Sequence, residues 1–385
     1  MRERKVPTAA AIRRLRKFRP VDLDSFAARP TRRAGQFLGD RYRIEGLLGS
    51  GGTADVYLAV DSRAGQSVVV KQLNRGGAAN EGVRARFLAE AEALSGFQHP
   101  RIMRVLDYAA PPGELPYLVT EALVGETLSS LLQRRPKLPL DVALLIARQT
   151  AQGLTAAHRR GLVHRDIKPD NLFLIGPRGA PFGLKIIDFG MARLPESNES
   201  SGVRTVLGTV EYMAPEQVMA DPVDGRADIY GFGLVLFRLF TGQLPFEAVE
   251  TVDLLCHQLF SPVPPPSSLD ASVDRHMDAI ITRATRKHPR NRYPNMREMM
   301  IDLDVVFGLC RGEPTSTELT ISPDVYEPQN EKGREVAALL AERFAAMKQE
   351  QAEALRTHPR TIVPDARSPY EFEDLAEDDL ELCDG

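Results

Sequence analysis

A short stretch near the middle of the chain holds an acid, a cation and an amide at close spacing. Residues 164–171 read HRDIKPDN, which places Asp166, Lys168 and Asn171 within six positions of one another. A carboxylate such as that of Asp166 can orient or deprotonate an attacking hydroxyl group, and a nearby lysine can neutralise charge on a phosphoryl group. The amide oxygen of Asn171 suits a hard cation such as Mg²⁺. The stretch therefore predicts phosphoryl-transfer chemistry, if the chain also supplies a second cation ligand and a phosphate site.

Two further segments supply these missing parts. Asp188 follows the β-type residues of LKIIDFG and offers a carboxylate as the second cation ligand. The segment 47–60, LLGSGGTADVYLAV, places Gly49, Gly51 and Gly52 in the turn of a predicted hairpin. Glycines there let backbone N–H groups approach phosphate oxygens without obstruction by side chains. The segment lacks the GxxxxGK[ST] pattern, which excludes a Walker-type phosphate loop.

Lys71 closes the apolar run VVVK, one predicted strand after the glycine-rich turn. A lone lysine at such a position usually extends to solvent, but Glu90 in the predicted helix RFLAEAEAL is a candidate partner. An ion pair between Lys71 and Glu90 would hold the ammonium group near phosphate oxygens. Glu92 lies about 200° away from Glu90 around the helix and is expected to face elsewhere.

Composition limits the class of protein to which this chain can belong. The 385 residues are 43% hydrophobic and 26% charged, and the net charge of −3 excludes a polycation. The three cysteines, Cys256, Cys310 and Cys383, are far apart and form no CxxC pair, which argues against a disulfide framework or a zinc site. Neither a signal peptide nor a run of about 20 apolar residues is evident. The sequence therefore predicts a cytoplasmic protein.

The charge is concentrated in two terminal segments of opposite sign. Residues 1–37 are predicted to form a basic flexible arm, because eleven Lys and Arg residues stand against three acids in the first 35 positions. Residues 358–385 are predicted to form an acidic disordered tail. Both segments fit solvated arms, and the alternatives are contact of the basic arm with nucleic acid or a membrane, or attraction between the two tails.

Between these arms the chain changes from strand-like to helical patterns. Short runs of β-branched and aromatic residues dominate up to about residue 122, and long helical patterns follow from about residue 127. Residues 311–330 are rich in Pro, Ser and Thr and predict a linker. Residues 331–357 predict an amphipathic helix that either docks on the main domain or binds a partner helix. Its predicted apolar stripe comprises Val336, Leu340, Phe344, Met347 and Leu355.

These motifs, in this order, resemble the signature of the protein kinase family over about 270 residues. The most similar branch is that of the bacterial Hanks-type (eukaryotic-like) serine/threonine kinases. Ala54 departs from the third glycine of the loop, a substitution that adds little bulk. The matching motifs are the glycine-rich loop at 49–56, Lys71, Glu90, HRDIKPDN at 164–171, Asp188-Phe189-Gly190, Ala214-Pro215-Glu216, Asp228 and Arg292.

The resemblance implies an α+β fold with two lobes, a small β-rich N-lobe at about 38–122 and a larger α-helical C-lobe at about 123–310. It implies Mg²⁺ or Mn²⁺ bound by Asn171 and Asp188, with ATP as the co-substrate. The implied catalytic residues are Asp166, Lys168, Lys71 and Glu90. The implied ATP-binding residues are Leu48, Gly49, Ser50, Gly51, Gly52, Val56, Val69, Lys71, Thr120, Glu121 and Leu123. Glu216, Asp228 and Arg292 are implied to be structural.

Regulation by phosphorylation also follows from the resemblance. In the family, an arginine before the catalytic aspartate, here Arg165, often pairs with a phosphorylated residue of the activation loop. Thr209 is expected to bond the catalytic loop instead of accepting phosphate. The candidate phosphorylation sites are Ser197, Ser200, Ser201 and Thr205, of which Ser200 and Ser201 lie nearest to the phosphates of relatives.

The sequence as a whole predicts a non-specific serine/threonine protein kinase that transfers the ATP γ-phosphate to Ser and Thr hydroxyls of protein substrates. The main alternative is a pseudokinase that uses the same fold as a binding scaffold. The retained ionisable residues argue against it, because pseudokinases usually lack at least one of them. In a third reading, the kinase domain serves a basic arm that binds nucleic acid or a membrane.

Overall fold

The computed structural model of the chain describes residues 28–176, 183–189, 210–308 and 326–357, with side chains described up to residue 350. Within these ranges, strands dominate the first part of the chain and helices dominate the second, as expected for an α+β fold of two lobes. No helix in the described ranges is long and apolar enough to cross a membrane.

Six antiparallel strands form one sheet, in the order β1-β2-β3-β4-β6-β5. Their bounds are Phe37–Leu38 (β1), Tyr42–Ser50 (β2), Ala54–Asp61 (β3), Gln66–Leu73 (β4), Val105–Ala109 (β5) and Tyr117–Glu121 (β6). Side chains alternate between the two faces of a strand. Val68 and Val70 of β4 are buried in a cluster on one face, so Val69 and Lys71 point to the other. Strand β4 thus presents Lys71 on the face opposite to this cluster.

Two helices follow β4, namely α1 at Arg75–Ala79 and α2 at Glu81–Leu94. Helix α2 buries Phe87, Ala91 and Leu94, the three residues whose spacing predicts its apolar face. Burial of this face fixes the rotation of α2 about its axis, and with it the direction in which its polar residues point.

The helical part of the chain is built around one central helix. Its helices are Leu128–Arg134 (α3), Leu140–His158 (α4), Pro215–Val218 (α5), Gly225–Thr241 (α6), Thr251–Phe260 (α7), Arg275–Ala284 (α8) and Met296–Val306 (α9). Every residue of α6 from Ala227 to Phe237 is buried, and a helix that is apolar on all sides belongs in a core. The Asp224 side chain caps the start of α6, and Gly242 ends it with φ = 78°.

A second, three-stranded sheet brings the chemical motifs together. Its strands are Gly125–Thr127 (β7), Leu172–Ile175 (β8) and Gly183–Ile186 (β9). Leu172 pairs with Ile186, so the first residue of β8 lies beside the last residue of β9. Asn171 directly precedes β8 and Asp188 follows β9 by two residues. The antiparallel register therefore places these two predicted cation ligands at the same end of the sheet.

The predicted flexible arm at 1–37 needs correction in its last third. Arg29 exchanges two backbone hydrogen bonds with Leu47, at 2.8 and 2.9 Å, and extends the sheet beyond β2. The Arg33 guanidinium donates to Gln72 Oε1 at 2.6 Å. An edge strand exposes unpaired backbone groups, and the chain before β1 satisfies some of those of β2. The part of the arm before residue 28 lies outside the described residues.

The last described helix, α10, spans Glu331–Thr357, the range over which the sequence predicts an amphipathic helix. The chain divides into two compact units after Phe344, and the second unit begins with the rest of this helix. Leu340 of the predicted stripe is 5% exposed, whereas Val336 is 38% exposed and lies at the margin of the buried face. The side chain of Leu355 lies outside the described side chains.

Candidate active site

A buried carboxylate of the central helix α6 holds the loop that carries Asp166. Asp228, in the first turn of α6, accepts the backbone N–H of His164 at 2.8 Å and that of Arg165 at 2.6 Å. His158, at the end of α4, lies 2.7 Å from the same carboxylate. Arg165 has φ = 65°, a conformation that non-glycine residues rarely adopt. The two hydrogen bonds from backbone N–H groups to Asp228 stabilise this conformation. They thereby set the direction in which the Asp166 side chain points away from the loop.

Asp166 is oriented by two donors and still reaches solvent. Asn171 Nδ2 donates to the Asp166 carbonyl oxygen at 2.8 Å and to its Oδ2 atom at 3.0 Å. Lys168 Nζ lies 2.8 Å from the same Oδ2 atom, and the Asp166 side chain is 45% exposed. A 3₁₀ turn at Pro169–Asn171 brings Asn171 back to the acid, and the fixed φ of Pro169 suits its first position. Acid, cation and amide thus form one connected group at the surface.

His164 connects the Asp166 loop to the segment that carries Asp188. The Asp166 N–H donates to His164 Nδ1 at 3.2 Å, which leaves the proton of the neutral ring on Nε2. Nε2–H then donates to the Ile187 carbonyl oxygen at 3.0 Å. The His164 ring also packs against Phe189, with centroids 4.7 Å apart. Because both ring nitrogens of His164 bond the two segments, this geometry supports a structural role for the residue.

The predicted ion pair between Lys71 and Glu90 is not formed, which corrects the sequence interpretation. Lys71 Nζ instead lies 2.8 Å from Asp188 Oδ1, and no Glu90 oxygen lies within ion-pair distance of a cation in the described residues. Burial raises the pKa of Glu90 to about 8, against the opposing effect of the Lys71 charge. Glu90 is therefore mostly protonated at neutral pH, and a neutral carboxyl group attracts Lys71 weakly.

The Lys71–Asp188 pair keeps both groups charged. Burial alone would lower the pKa of Lys71 and raise that of Asp188. The mutual charge attraction and hydrogen bond outweigh burial, so the net shift is upward for Lys71 and downward for Asp188. Neighbouring groups surround Asp188 closely enough to affect its pKa, but 48% of its side-chain surface still reaches solvent, and its φ is 51°. An ionised, solvent-facing carboxylate at this position is suited to bind a cation.

The donor set at this end of the sheet fits a hard divalent cation. The Ile187 N–H donates to the Asn171 carbonyl oxygen at 3.0 Å, which brings Asp188 next to Asn171. No group of three or more His, Cys, Asp or Glu side chains forms a closed metal cage within the described residues. One carboxylate and one amide oxygen suit Mg²⁺, which usually takes its other ligands from water and phosphate oxygens.

The glycine-rich turn offers open space on its surface. The Gly51 N–H donates to the Ala54 carbonyl oxygen at 2.8 Å and closes the turn between β2 and β3. A Cβ atom built on Gly49 or Gly52 would meet no other atom within 4 Å. Backbone groups at these positions are accessible to a ligand that lies along the turn, as the sequence predicts for phosphate oxygens. Ser50 hydrogen-bonds Asp55 across the same turn.

Sequence reasoning missed Asn74, which clamps this turn. Its Oδ1 atom accepts the Gly77 N–H at 2.8 Å and caps helix α1, while its Nδ2 group donates to the carbonyl oxygens of Gly51 and Gly52 at 3.2 and 2.9 Å. Because the peptide unit is planar and trans, both peptide N–H groups then point away from Asn74. The sequence did not predict helix α1, but asparagine is a favoured N-cap residue, and this capping signal at Asn74 could have revealed the residue.

Several of the residues predicted to bind ATP lie on the face of the sheet that carries Lys71. Val69 pairs with Thr120 across β4 and β6, and Thr120 is buried at the back of this face. Val56 pairs with both Gly49 and Lys71 in neighbouring strands. The apolar residues among those predicted to bind ATP are all partly buried, as expected for residues that line an open site: Leu48, Val56, Val69 and Leu123.

The connection after Thr120 is tied to the second lobe by a residue that sequence reasoning missed. Glu121 accepts the Arg104 backbone N–H at 2.7 Å through its carboxylate and also pairs with Lys185 of β9. The Glu121 N–H donates to the Arg104 carbonyl oxygen at 3.1 Å. Its carbonyl and that of Leu123 belong to the segment predicted to face adenine. Lys185 stands within a β-type run and carries no motif that would have identified it.

Glu216 and Arg292, predicted from the resemblance to be a structural pair, lie in contact and are buried. The two guanidinium nitrogens meet the two carboxylate oxygens at 2.6 and 2.8 Å. The remaining donors of Arg292 bond the carbonyl oxygens of Arg226, Arg286 and Lys287. A buried guanidinium with all of its donors satisfied holds the short helix α5 against the C-lobe.

The predicted phosphorylation sites fall in a part of the chain that the structure does not describe. Ser197, Ser200, Ser201 and Thr205 lie between residues 190 and 209, as do Thr209 and Gly190 of the DFG motif. These residues therefore remain predictions from the sequence.

Comparison with known proteins shows a family match that includes every residue of this site. The model of the family described as protein kinase domain matches residues 42–301. The serine/threonine-protein kinase PknB of Mycobacterium leprae is 34% identical over 270 residues, which cover 69% of this chain and 43% of that protein. Pkn1 of Myxococcus xanthus is 39% identical over 258 residues, covering 66% of this chain and 36% of that protein. This chain thus spans less than half the length of these curated relatives.

Solved structures give the same answer for the fold. The crystal structure of the Mycobacterium tuberculosis PknI kinase domain superimposes with a TM-score of 0.56 at 26% sequence identity, covering 71% of this chain and 98% of that one. The family match covers more than half of the chain, and the fold is the two-lobed α+β protein kinase fold. The chain therefore belongs to the protein kinase family, in its bacterial Hanks-type serine/threonine branch.

Proposed function

We propose that the protein is an active serine/threonine kinase that transfers the γ-phosphate of ATP to Ser and Thr hydroxyls of protein substrates. The observation that carries the proposal is the convergence of Asp166, Asn171, Asp188 and Lys71 at one end of the β8–β9 pair. These side chains come from positions more than a hundred residues apart. Lys71 bonds Asp188, Asn171 bonds Asp166, and the Ile187 N–H bonds the Asn171 carbonyl oxygen between them, which supports a single site.

In the proposed step, the acceptor hydroxyl oxygen attacks the γ-phosphorus and forms a new P–O bond. The bond between that phosphorus and the β,γ-bridging oxygen breaks, ADP leaves, and the hydroxyl proton passes to the Asp166 carboxylate. Lys168, which bonds Asp166, lies where it can neutralise charge on the transferred group. Lys71 would hold the other phosphate oxygens once its ammonium group turns from Asp188 toward them.

Asn171 and Asp188 are the residues that would hold Mg²⁺ or Mn²⁺, which neutralises phosphate charge when bound. The Asn171 side-chain N–H group donates a hydrogen bond to Asp166 Oδ2. Its oxygen is therefore the atom that would face a cation. The remaining predicted ATP contacts lie along the glycine-rich turn and the β4–β6 face. Asn74 supports this arrangement by fixing the peptide planes of the turn.

The alternative is a binding scaffold without catalysis. It would require the loss of an essential ionisable group, and the chain retains every one that the family uses. The hydrogen bonds that orient Asp166 also favour catalysis, because a scaffold has no need to position a proton acceptor.

Regulation by autophosphorylation of the activation loop is a further part of the proposal. A phosphate on Ser200, Ser201 or Thr205 would add about −1.5 to −2 charges within reach of an arginine. Arg165 is suited to pair with it, because its backbone is fixed by Asp228 while it directly precedes Asp166. A phosphate bound there would order the loop next to the catalytic acid.

The roles of the terminal segments are proposed on charge alone. The basic residues before position 28 and the acidic residues of 358–385 suit contacts with oppositely charged partners, such as nucleic acid or a membrane for the basic arm. For the half of helix α10 after Phe344, we propose either self-association or binding of a partner helix.

Mass spectrometry after incubation with Mg-ATP tests the activity. The wild-type chain is expected to gain phosphate on Ser or Thr residues, within 191–209 among other places, and to phosphorylate a generic protein substrate. Asp166→Asn preserves the shape of the side chain but cannot accept the proton, so transfer is expected to fall by at least about 10²-fold.

A folded Asp166→Asn variant with full activity would contradict the assignment of Asp166. A folded wild-type chain that binds ATP but transfers no phosphate would favour the scaffold. Modification elsewhere with none between 191 and 209 would contradict only the proposed regulation.

A further inference from the structure

Residues 326–344, here called the docked segment, lie outside the matched kinase domain and pack on the C-lobe through two polar anchors. The first anchor is Asp221, which is buried just after helix α5. It accepts the Tyr326 hydroxyl at 2.5 Å, the Gln329 N–H at 2.9 Å and the Asn330 side-chain amide. Three donors from one short stretch satisfy this carboxylate, so the contact is specific in its geometry.

The second anchor lies at the other end of the docked segment. Arg343 Nε and Nη2 donate to the two carboxylate oxygens of Asp253 in helix α7, at 2.6 and 2.9 Å. The hydrogen bond from Arg343 is the largest cause of the lowered pKa of Asp253. A bidentate ion pair of this kind fixes both the position and the rotation of one helix on another.

Apolar packing fills the space between these anchors. Leu340 is 5% exposed, and its carbonyl oxygen lies 3.1 Å from the Cys256 sulfur, which donates to it. The Phe344 and Phe260 ring centroids are 5.5 Å apart. The shared cluster comprises Val210, Met219, Leu255, Cys256, Leu259, Tyr326 and Leu340. The docked segment thus covers one side of helix α7.

The same helix supports the residues that end the activation segment. Gln258 is fully buried, and its Nε2 group donates to the carbonyl oxygens of Val210 and Glu211 at 3.2 and 2.6 Å. The Tyr230 hydroxyl donates to Gln258 Oε1 at 2.6 Å and fixes the orientation of the amide. Val210 also belongs to the apolar cluster that contains Tyr326 and Leu340. A shift of α7 would therefore move residues 210–212.

Residues 210–212 lie beside the catalytic loop. A Cβ atom added to Gly231 of helix α6 would lie 3.0 Å from the Ile167 carbonyl oxygen and 3.3 Å from that of Tyr212. The catalytic loop and residues 210–212 therefore both pack against Gly231 of α6. The residue of the catalytic loop at this contact, Ile167, directly follows Asp166. Glu211, between the buried residues Val210 and Tyr212, is only partly buried, so this stretch presents some surface close to the loop that carries Asp166.

We propose that the docked segment is a positioning element for the protein acceptor. By holding helix α7 it maintains, through Gln258, the conformation of residues 210–212 against which the acceptor chain lies. The inference rests on the proposed kinase function and adds to it. Affinity for the acceptor polypeptide depends on residues outside the catalytic domain, whereas affinity for ATP, bound on the sheet of the other lobe, does not.

Two neighbouring leucines provide a matched test. Leu340→Asp places a charge in the buried contact, and Leu339→Asp places the same charge on a side chain that is 70% exposed. With an acceptor peptide that the wild type phosphorylates, Leu340→Asp is expected to raise the KM for peptide several-fold. The KM for ATP is expected to stay within twofold of wild type, and Leu339→Asp is expected to match wild type in both constants.

A charge reversal keeps the test decisive if Leu340→Asp proves unstable. Asp253→Arg and Arg343→Asp each place like charges together, so each single variant is expected to raise the KM for peptide. The double variant restores an oppositely charged pair and is expected to return the KM toward the wild-type value. Recovery in the double variant would show that the contact itself matters to acceptor binding, because two substitutions that damaged the protein independently would have additive effects on the KM.

Unchanged peptide KM in Leu340→Asp and in both single reversals would overturn the inference. So would parallel changes in the constants for peptide and ATP with a lowered Tm, because these would indicate a general stabiliser. An active wild type with unaffected variants contradicts this inference alone. A wild-type chain that transfers no phosphate at all contradicts the proposed function and the inference with it.

Discussion

At the scale of single residues, the site depends on which carboxylate lies nearest to Lys71. Three carboxyl groups from different segments face this lysine, namely those of Glu90, Asp188 and, farther away, Asp166. Asp188 forms the contact and stays ionised, while burial keeps Glu90 protonated at neutral pH. The charge state of each carboxyl group near Lys71 therefore depends on its burial and on its distance from the lysine, as well as on its residue type.

The raised pKa of Glu90 predicts a dependence of stability on pH. Between the unfolded value of 4.5 and the folded value of about 8, the folded chain binds more protons at Glu90 than the unfolded chain does. Stability contributed by this group is present below the unfolded pKa and is lost as pH rises through the window. The loss is at most about 1.36 kcal/mol per pH unit.

Glu90→Gln removes the titration while preserving the shape of the side chain. We expect the wild type to lose stability relative to Glu90→Gln between about pH 5 and pH 8, as measured by urea unfolding without nucleotide. Glu92→Gln, on the exposed side of the same helix, is the control and should follow the wild type. A constant difference between wild type and Glu90→Gln across this range would show that the Glu90 pKa is not raised.

At the scale of elements, the glycine-rich turn is shaped by contact with helix α1. Asn74 donates to two carbonyl groups of the turn, and the Asn74 N–H donates to the Thr53 carbonyl oxygen at 2.9 Å. Gly77 approaches so closely that an added Cβ would lie 2.2 Å from the Thr53 carbonyl oxygen. The turn and α1 therefore form one packed unit, although each is short.

The two adjacent glycines of α1 test this contact. Gly77→Ala would push the turn away from α1, and we expect the KM for ATP to rise by roughly tenfold, about 1.4 kcal/mol. At Gly76 an added Cβ meets only Asn74 Oδ1, at 3.5 Å. Gly76→Ala should therefore leave the KM unchanged and raise the helix propensity by up to about 1 kcal/mol. Equal KM values for the two variants in steady-state kinetics would argue against the clamp.

At the scale of the whole molecule, a buried ion pair joins segments 76 positions apart in the chain. Glu216 belongs to the short helix that follows the activation segment, and Arg292 lies between α8 and α9. The guanidinium also bonds three backbone carbonyl oxygens. Because Glu216 and Arg292 are themselves buried, loss of the paired contact would leave buried oxygens without donors.

Arg292→Lys keeps the charge but is expected to destabilise the fold by about 1–3 kcal/mol, because a lysine has only three donors and leaves buried oxygens unpaired. Arg226→Lys, in the more exposed pair with Asp224, should cost no more than about 1 kcal/mol. Urea unfolding of the two variants gives the comparison. A loss below about 1 kcal/mol for Arg292→Lys would mean that the buried pair contributes little to the C-lobe.

Much of the site could be predicted from the sequence, because its chemistry depends on residue types in a fixed order. Their spacing and residue types predict a site formed by Asp166, Lys168, Asn171 and Asp188, and the structure brings these residues together through the register of β8 and β9. The amphipathic helix was predicted over 331–357 because helical periodicity is a local property. The two-lobed fold followed from the resemblance, and the family match confirms it.

Only the tertiary structure decided how these parts contact one another. The partner of Lys71, the reach of Asn74 to the glycine-rich turn and the pairing of Arg29 with the edge of β2 each depend on distances between segments that are remote in sequence. The docked segment is the largest example. The apolar face of its helix indicates that this face must be buried, but it does not indicate which surface of the protein buries it. Residue types and periodicity determine chemistry and local structure, whereas charge pairing and docking depend on which surfaces the folded chain brings together.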